Sequence, residues 1–320
     1  MFNNLRELIT TMPDEKACRD YLIAQRWNGK PVCPYCNCDR CYVIEGGKRF
    51  KCGSKTCYKK FSVTVGTIFE ASNIPLTKWL MAIYICSAHK KGISSYQLGK
   101  DIGIAQKSAW FMLHRIRYAF GNGNSDIILN NEIQADETFV GGRNENRHKD
   151  KKHVDEQGNF IEKKAPVMGM IETGGKVKTK VVDMATKKNA IEFITDNSKK
   201  GITLITDSAG IYHKIGKKYN HVVINHSAGE YKVDRYHTNG IENYWSVLKR
   251  GIYGIYHQVS PKHLQAYCDE FSYRFNSRKM KDSDRFVFSL TKIECRLDYK
   301  TLVAKKLFDS GKDIEMIMED

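Results

Sequence analysis

Two closely spaced pairs of cysteines could hold a metal ion near the start of the chain. The first pair, in C-P-Y-C, is Cys33 and Cys36, and the second, in C-G-S-K-T-C, is Cys52 and Cys57. Two pairs of thiolates with about 15 residues between them are typical of a zinc ribbon, in which four sulfurs surround one Zn²⁺. Because so short a segment cannot build an adequate core of its own, we expect the bound metal to supply its folding free energy.

A third pair, Cys38 and Cys41, forms a competing C-x-x-C. We favour the first pair as ligands because Pro34 and the small Asn37 suit a knuckle turn. Two alternatives remain: the third pair replaces the first, or the cysteines of the segment are reduced, buried and free of metal. The remaining thiols are expected to be ordinary buried cysteines, namely Cys18, Cys86, Cys268 and Cys295.

Two aspartates stand where carboxylates could share a divalent cation. "NEIQADETFVGG" predicts a strand with Asp136 at its centre or end, and "GITLITDSAG" predicts a second, buried strand that ends at Asp207. Carboxylates at the ends of adjacent central strands point into one crevice, where their repulsion is costly unless a cation lies between them. Mg²⁺ is the expected ion, since it prefers carboxylate oxygens together with phosphate.

The stretch "HTNGIENYWSVLKRGIYGIYH" from residue 237 to 257 predicts a helix with two stripes. An apolar stripe of Ile241, Trp245 and Leu248 would dock the helix on the sheet. A neighbouring stripe would bring Glu242 to the crevice as a third carboxylate, and Lys249 to a flanking phosphate. Such a two-metal site activates a water or a 3′-hydroxyl for phosphoryl transfer. The alternative is an accidental triple, because the chain holds 36 acidic residues.

The segment from Pro75 to Phe120 predicts a helix-turn-helix. In "SSYQLGKDIGIAQKSAWFMLHRIRYAF", Ser94 with Gln97 matches a capping box, and a turn at Gly103 separates two helices. A polar and basic helix after a glycine turn is the shape that reads a major groove, although similar packing occurs in proteins that never touch DNA. The residues expected to contact DNA on the second helix are Gln106, Lys107, Ser108, Arg115 and Arg117.

The composition of the chain favours a polyanionic partner. Its 320 residues carry a formal net charge of +16 and are 41% hydrophobic, which indicates a real core and places nucleic acid before an acidic membrane. The alternative is a basic protein without such a partner. We expect neither a transmembrane helix nor a signal peptide. In the resulting reducing compartment, the ten cysteines need a reason other than disulfides.

Beyond residue 131, five short apolar runs precede and alternate with helical patterns, which predicts an α/β domain with a mixed sheet. The runs are "EIQADETFV", "APVMGMIET", "VKTKVVDM", "GITLITDS" and "HVVINHS". The predicted parts of the chain are a helical lead at 1–28, the zinc ribbon at 29–70, the helix-turn-helix at 74–122, the α/β domain at 130–285 and a tail at 286–320.

Several of these motifs resemble the DDE transposases of bacterial insertion sequences. The blocks are "CPYC", "CGSKTC", "FSVTVGTIFEAS" with "IPLTKW", "ADETFVGG", "TDSAG" and "HTNGIENYWSVLKRGIYGIYHQVSPKHLQAYCDEFSYRFN". The most similar group is the ISXO-type transposases with a zinc ribbon, which are related to the Merlin elements. The resemblance extends from about Asp14 to Asn276. The extra Cys38 and Cys41 depart from the pattern.

The resemblance implies an RNase H-like catalytic domain after the ribbon and helix-turn-helix, and Mg²⁺-dependent (or Mn²⁺-dependent) cut-and-paste transposition. The implied catalytic set is Asp136, Asp207 and Glu242, with Lys249 as an added signature residue. Some relatives have asparagine at the third acidic position, so Asn239 or Asn243 could take that place. We keep Glu242 because only a carboxylate brings the charge that a two-metal site needs.

The resemblance also implies double-stranded DNA partners, namely the terminal inverted repeats of the element and target DNA. We expect a homodimer or higher oligomer at synapsis, and a cytoplasmic, nucleoid-associated protein in bacteria. His237, Arg250 and Tyr253 are predicted to contact DNA near the site, with a packing role as the alternative for His237. Two rival functions remain: a non-catalytic DNA-binding regulator on the same scaffold, and an RNase H-like nuclease without strand transfer.

Overall fold

The computed structural model describes residues 2–124, 127–142, 144–146, 148–149, 152–154, 157–159, 164–212, 215 and 218–304. Within them the helices are α1 (Leu5–Thr11), α2 (Glu15–Trp27), α3 (Leu76–Ala88), α4 (Ser95–Ile102), α5 (Gln106–Asn122), α6 (Lys187–Asn197), α7 (Asn239–Gly251), α8 (Leu264–Asn276), α9 (Asp282–Leu290) and α10 (Tyr299–Val303). The strands are β1 (Cys41–Ile44), β2 (Arg49–Cys52), β3 (Lys60–Phe61), β4 (Ile133–Val140), β5 (Ala165–Glu172), β6 (Val177–Val181), β7 (Thr203–Asp207) and β8 (Asn220–Ile224). None of these helices is long and apolar enough to cross a membrane.

The described chain divides into two compact units. The first contains Met1–Ala88, Ser95–Ala119 and the segment from Asp282 onward, and the second contains His89–Ser94 and Phe120–Lys281. In the first unit, α3 is buried on nearly all sides and contacts α1, α2, α4 and α9. A helix that is apolar all round is stable only when neighbours cover it, so α3 forms the centre of this unit.

The C-terminal segment is built into the first unit, although the sequence set residues 286–320 apart as a tail. Phe286 on α9 is fully buried and contacts the rings of Phe2 and Tyr84. The Ile68 amide donates to the Ile293 carbonyl at 3.0 Å. Buried aromatic contacts and backbone pairing therefore hold α9 in the unit. Residues 305–320 of the predicted tail lie outside the described residues.

The predicted ribbon contains a three-stranded antiparallel sheet in the order β1-β2-β3. Phe50 and Phe61 point to one face and are buried. Both rings make edge contacts with Trp27 at the end of α2, at centroid distances of 6.0 and 5.9 Å. This packing agrees with the expectation that the ribbon segment has too little core of its own. The third aromatic ring of its core, Trp27, belongs to α2.

The glycine turn between the two helices of the predicted helix-turn-helix lies where the sequence placed it. Helix α4 ends at Ile102, the turn passes through Gly103 at a positive φ of 64°, and α5 begins at Gln106. The left-handed backbone conformation at this turn favours glycine, because a Cβ would be strained there. The Lys78 ammonium group caps the turn by donating to the Gly103 carbonyl at 2.7 Å.

The second unit is a five-stranded mixed sheet in the order β6-β5-β4-β7-β8. Strands β4, β5 and β6 are antiparallel neighbours, whereas β7 and β8 run parallel to β4. All five strands coincide with the apolar runs that the sequence marked. Together with the flanking helices, this mixed sheet confirms the predicted RNase H-like α/β fold.

Helices cover both faces of the sheet. Phe193 and Ile194 of α6 pack on one face in a cluster with Leu204. On the other face, α7 and α8 pack through a cluster that includes Ile241, Trp245, Leu248, Leu264 and Phe271. The predicted apolar stripe of α7 is therefore its sheet-facing side, and the polar stripe beside it lies at the edge of the contact.

Candidate functional site

The four cysteines chosen from the sequence come together in the ribbon. The Sγ atoms of Cys33, Cys36, Cys52 and Cys57 all lie within 4.8 Å of one another. The Cys36–Cys52 and Cys33–Cys57 sulfur distances are 3.5 and 3.8 Å. Tetrahedral coordination with Zn–S bonds of about 2.3 Å places sulfurs about 3.8 Å apart. The set therefore fits one Zn²⁺ as it stands.

The competing pair lies outside this cluster. The Cys38 thiol approaches the Arg40 carbonyl at 3.8 Å, and the Cys41 thiol approaches the Cys38 carbonyl at 3.5 Å. Asn37 takes a positive φ of 57° in the knuckle turn, a conformation that asparagine adopts more readily than most residues. The geometry thus favours Cys33 and Cys36 as zinc ligands. Asn37 forms the knuckle turn beside them, as the sequence suggested.

Asp136 and Asp207 lie side by side in the second unit. Strands β4 and β7 pair in parallel with Ala135 opposite Thr206. The two aspartates follow these paired residues directly, so their side chains point to the same face of the sheet. Gln134, on the same face of β4, accepts a hydrogen bond from the Ile241 amide of α7 at 3.0 Å. The face that carries both aspartates is therefore the face on which α7 docks.

Trp245 joins α7 directly to Asp136. Its Nε1–H donates to Asp136 Oδ2 at 2.9 Å, while the Glu137 amide donates to Asp136 Oδ1 at 2.8 Å. The indole crosses β5 at Gly169, which pairs with Asp136. A Cβ at Gly169 would clash with the indole ring, so glycine is required there for this close approach. Each carboxylate oxygen of Asp136 keeps a further acceptor site for a cation.

The electrostatics of Asp136 suit a cation ligand. Burial raises the pKa of this carboxyl to about 7, and the nearby charge of Asp207 acts in the same direction. Asp207 lies at the end of β7, and its Oδ1 accepts from the Ala209 amide at 3.0 Å. A divalent cation between the two carboxylates would offset both the burial and the repulsion.

Glu242 lies in the first turn of α7, and the carboxylates of Asp136, Asp207 and Glu242 do not all lie within 4.8 Å of one another, so they do not surround one single ion as they stand. Its Oε1 accepts from the Thr238 hydroxyl at 2.6 Å and lies 3.6 Å from His226 Nε2. The side chain is 51% exposed. Over the residues that the structure describes, the four ribbon cysteines are the one group of three or more His, Cys, Asp or Glu side chains whose ligand atoms all lie within 4.8 Å of one another.

The other residues predicted near the site lie along the same helix and its flanks. Lys249 is half-buried and Arg250 is exposed, and the Arg250 Nε donates to the Ser246 carbonyl at 3.2 Å. Tyr253, which is 44% exposed, donates to the Gly141 carbonyl at 3.3 Å, just beyond β4. His237 is half-buried immediately before α7.

Two of the arginines predicted to bind DNA are buried instead. Arg115 is 4% exposed, and Arg117 is 2% exposed. The Arg115 guanidinium donates to the carbonyls of Ile68, Glu70 and Leu297 at 2.9–3.0 Å. The Arg115 guanidinium therefore satisfies buried backbone carbonyls, which is a structural role. This corrects the prediction for both arginines.

The start of α5 remains a surface that DNA could reach. Gln106 and Lys107 are exposed, and Ser108 is half-buried. The Gln106 amide donates to the Ser95 hydroxyl at 2.9 Å and links the two helices. Of the predicted contacts on this helix, these three are the ones that keep the required exposure.

The outer face of the ribbon sheet was not singled out from the sequence. Tyr42, Lys51 and Lys60 are paired across the three strands and point away from Phe50. Tyr42 is 57% exposed and Tyr58 is 54% exposed, and the Lys51 ammonium lies 5.9 Å from the Tyr58 ring centroid. The strand alternation in "CYVI" and "RFKC" was the available signal.

Two segments of the chain match known protein-family models. Residues 128–276 match the ISXO2-like transposase domain, and residues 13–60 match the transposase zinc-ribbon domain. Together the two matched segments make up more than half of the chain.

Individual proteins give similarities of different strength. The chain is 25% identical over 280 residues to an uncharacterized protein in transposable element ISH50 of Halobacterium salinarum, covering 83% of this chain and 92% of that protein. A crystal structure of a pre-cleavage Mos1 transpososome matches 63% of this chain and 71% of that chain at 9% identity, with a TM-score of 0.25. The last similarity is too low to contribute to the assignment. On the two domain matches and the insertion-sequence relative, the chain belongs to the ISXO2-like DDE transposases.

Proposed function

We propose that this transposase cuts DNA at the ends of its element and joins them to target DNA at the crevice formed by β4, β7 and α7. The observation that carries the proposal is the position of Asp136 and Asp207, which directly follow the paired Ala135 and Thr206 on neighbouring strands, with Trp245 of α7 hydrogen-bonded to Asp136. Oxygen ligands of this kind fit Mg²⁺ or Mn²⁺. Asp136, Asp207 and Glu242 would hold the metal ions.

The chemistry is in-line displacement at phosphorus. When bound, the metal ions would activate the attacking oxygen and stabilise the leaving oxygen. Water first breaks a phosphodiester at the element end and leaves a free 3′-hydroxyl. That hydroxyl then attacks a phosphodiester of the target, which joins the strands and releases a 3′-hydroxyl on the target. Lys249, two turns beyond Glu242 on α7, would hold a flanking phosphate.

DNA recognition would be shared by several surfaces. The start of α5, with Gln106, Lys107 and Ser108, would contact the major groove of the terminal inverted repeats. The outer face of the ribbon would add lysine contacts to phosphates and tyrosine contacts to the DNA. Near the crevice, His237, Arg250 and Tyr253 would contact the strand being cut. Bringing two ends together would require at least two copies of the chain.

A cleavage and joining assay tests the proposed function. Labelled DNA carrying the element ends is incubated with the wild-type protein and Mg²⁺ or Mn²⁺, and we expect nicked ends and joined products. Glu242→Gln should give neither, because the neutral amide removes the third charged ligand. Glu192→Gln, an exposed change on α6 at the opposite face of the sheet, should behave as the wild type does.

Other results of this assay would support the rival functions. Specific binding of the ends by the wild type without cleavage in either metal would indicate a DNA-binding regulator. Cleavage without joined products would indicate a nuclease. Normal cleavage by Glu242→Gln would remove Glu242 from the proposed ligand set.

The ribbon face makes a separate prediction. Lys51→Ala should weaken binding to duplex DNA and lower the slope of log K against log salt concentration by about one, because one phosphate contact is lost. Tyr42→Ala should weaken binding with little change in slope, since no charge is removed. Both are measured by fluorescence anisotropy across a salt series.

The control for Lys51 is Lys16→Ala. Lys16 is an exposed lysine of α2 in the same unit, and it already pairs with Asp20 at 2.8 Å. It should leave the salt slope unchanged. Equal effects of Lys16→Ala and Lys51→Ala would mean that only the total charge matters, and would contradict a DNA contact at the ribbon face.

A further inference from the structure

A hydroxyl group links His226 to Glu242 in the second unit. Thr238 Oγ1 lies 2.6 Å from Glu242 Oε1 and 3.1 Å from His226 Nε2. Because a carboxylate has no hydrogen, the hydroxyl donates to Glu242, and its oxygen then accepts from the imidazole. This arrangement requires the tautomer of His226 in which Nε2 carries a proton. The three side chains form a directed chain of hydrogen bonds that ends on a proposed metal ligand.

The hydroxyl of Thr238 serves this chain instead of the helix. Thr238 occupies the N-cap position of α7, yet its side chain makes no capping hydrogen bond. A threonine at this position ordinarily accepts from an amide in the first turn. It is 2% exposed, so its hydroxyl is held away from solvent. Because the Thr238 hydroxyl makes no capping hydrogen bond, its orientation is explained by the hydrogen bond that it donates to Glu242.

His226, at the far end of this chain of hydrogen bonds, lies just after the strand that pairs with the Asp207 strand. Ile224, the last residue of β8, pairs with Asp207 of β7. His226 follows two residues later in a short 3-10 turn, whose Ala228 amide donates to the Asn225 side chain at 3.3 Å. The chain of hydrogen bonds thus runs from the end of β8, next to the second acid, to the third acid on α7.

We propose that His226 and Thr238 are positioning residues that hold the Glu242 carboxylate for metal binding. This inference rests on the proposed function, in which Glu242 is a ligand. The Glu242 side chain is 51% exposed, and a free glutamate would lose its rotamer freedom on binding an ion. With Oε1 held by the Thr238 hydroxyl, Oε2 is left for the metal, and part of that ordering is already done before the ion arrives.

The first test measures Mn²⁺ binding by isothermal titration calorimetry on the zinc-loaded full-length protein. Thr238→Val keeps the shape of the side chain and removes the hydroxyl, and should raise the Kd for Mn²⁺ about 10-fold or more. Thr238→Ser keeps the hydroxyl and should stay within about twofold of the wild type. In the cleavage assay, Thr238→Val should need more Mn²⁺ for half-maximal rate, with end binding unchanged.

A second pair of variants tests the imidazole independently of the helix cap. His226→Ala removes the donor to the hydroxyl and should weaken Mn²⁺ binding in the same direction. His226→Gln retains an amide N–H at similar reach and should restore much of the binding. This pair decides the matter if Thr238→Val lowers the melting temperature, since rescue by glutamine would not follow from a general loss of stability.

The outcomes separate this inference from the proposed function. Wild-type Mn²⁺ affinity in both Thr238→Val and His226→Ala, with weakened binding in Glu242→Gln, would overturn the positioning role alone. Wild-type affinity and cleavage in Glu242→Gln would overturn the assignment of Glu242 itself, and the positioning role with it.

Discussion

Replacement of Asp136 by asparagine is expected to abolish DNA cleavage and strand joining, by about 10³-fold or more, while binding of the element ends is retained. Asparagine has the shape of aspartate, and its carbonyl oxygen can still accept from the Trp245 indole, which donates to Asp136 Oδ2 at 2.9 Å, whereas the bond from the Glu137 amide to Oδ1 is lost. The docking of α7 should therefore survive. What is lost is the charge that holds a cation beside Asp207, measured as nicked and joined products per unit time.

The adjacent residue provides a matched control. Glu137 follows Asp136 on β4, points to the opposite face of the sheet, and accepts from the Tyr212 hydroxyl at 2.7 Å. Glu137→Gln keeps an acceptor for that hydroxyl and should cleave as the wild type does. Loss of cleavage in Glu137→Gln with activity retained in Asp136→Asn would reverse the assignment of the two acids.

The same variant should be more stable than the wild type when no Mg²⁺ or Mn²⁺ is added. Burial raises the folded-state pKa of Asp136 from 3.8 to about 7, so the folded protein binds more protons than the unfolded chain between these values. The contribution of Asp136 to wild-type stability therefore falls as pH rises through this range. The gain of Asp136→Asn should be full above pH 7, on the order of 1–3 kcal/mol, and should disappear towards pH 4. Melting temperatures at pH 8 and pH 5 measure it.

Local pattern was enough to predict the elements that hold the site. The five strands of the sheet contain runs of apolar and β-branched residues, and the apolar stripe of α7 has the helical period, so each is visible within a short window. The placement of Asp136 beside Asp207 follows from two such strands being parallel neighbours. The cysteine spacing likewise predicted the ribbon, because metal ligands have to be local in so small a segment.

Long-range packing was not predictable in the same way. Arg115 lies on a helix whose polar character suggested DNA contacts, but the carbonyls that bind it belong to Ile68, Glu70 and Leu297, far away in the chain. The bond between His226 and Thr238 spans a loop with no regular pattern. A short stretch of sequence does not indicate which distant polar group will form a hydrogen bond with a buried side chain.

Loss of one zinc ligand should have the largest effect on folding. Cys33→Ser removes a thiolate that is fully buried in the ribbon, and a structural zinc site contributes about 10–16 kcal/mol of folding free energy in small peptides. We expect zinc content well below one per chain and rapid proteolysis within residues 29–61, because Phe50 and Phe61 lose the sheet that holds them against Trp27. Binding of DNA ends should fall with it.

Cys38→Ser decides between the two overlapping pairs. Its Sγ lies outside the four-sulfur cluster and approaches the Arg40 carbonyl at 3.8 Å, so this variant should keep one zinc per chain and resist proteolysis. Zinc retained in Cys33→Ser and lost in Cys38→Ser would make the third pair the ligands. Since Cys33 and Cys38 each begin a C-x-x-C, the spacing alone treats them alike. The difference lies in the turn at Asn37, which directs the thiols of Cys33 and Cys36 towards Cys52 and Cys57.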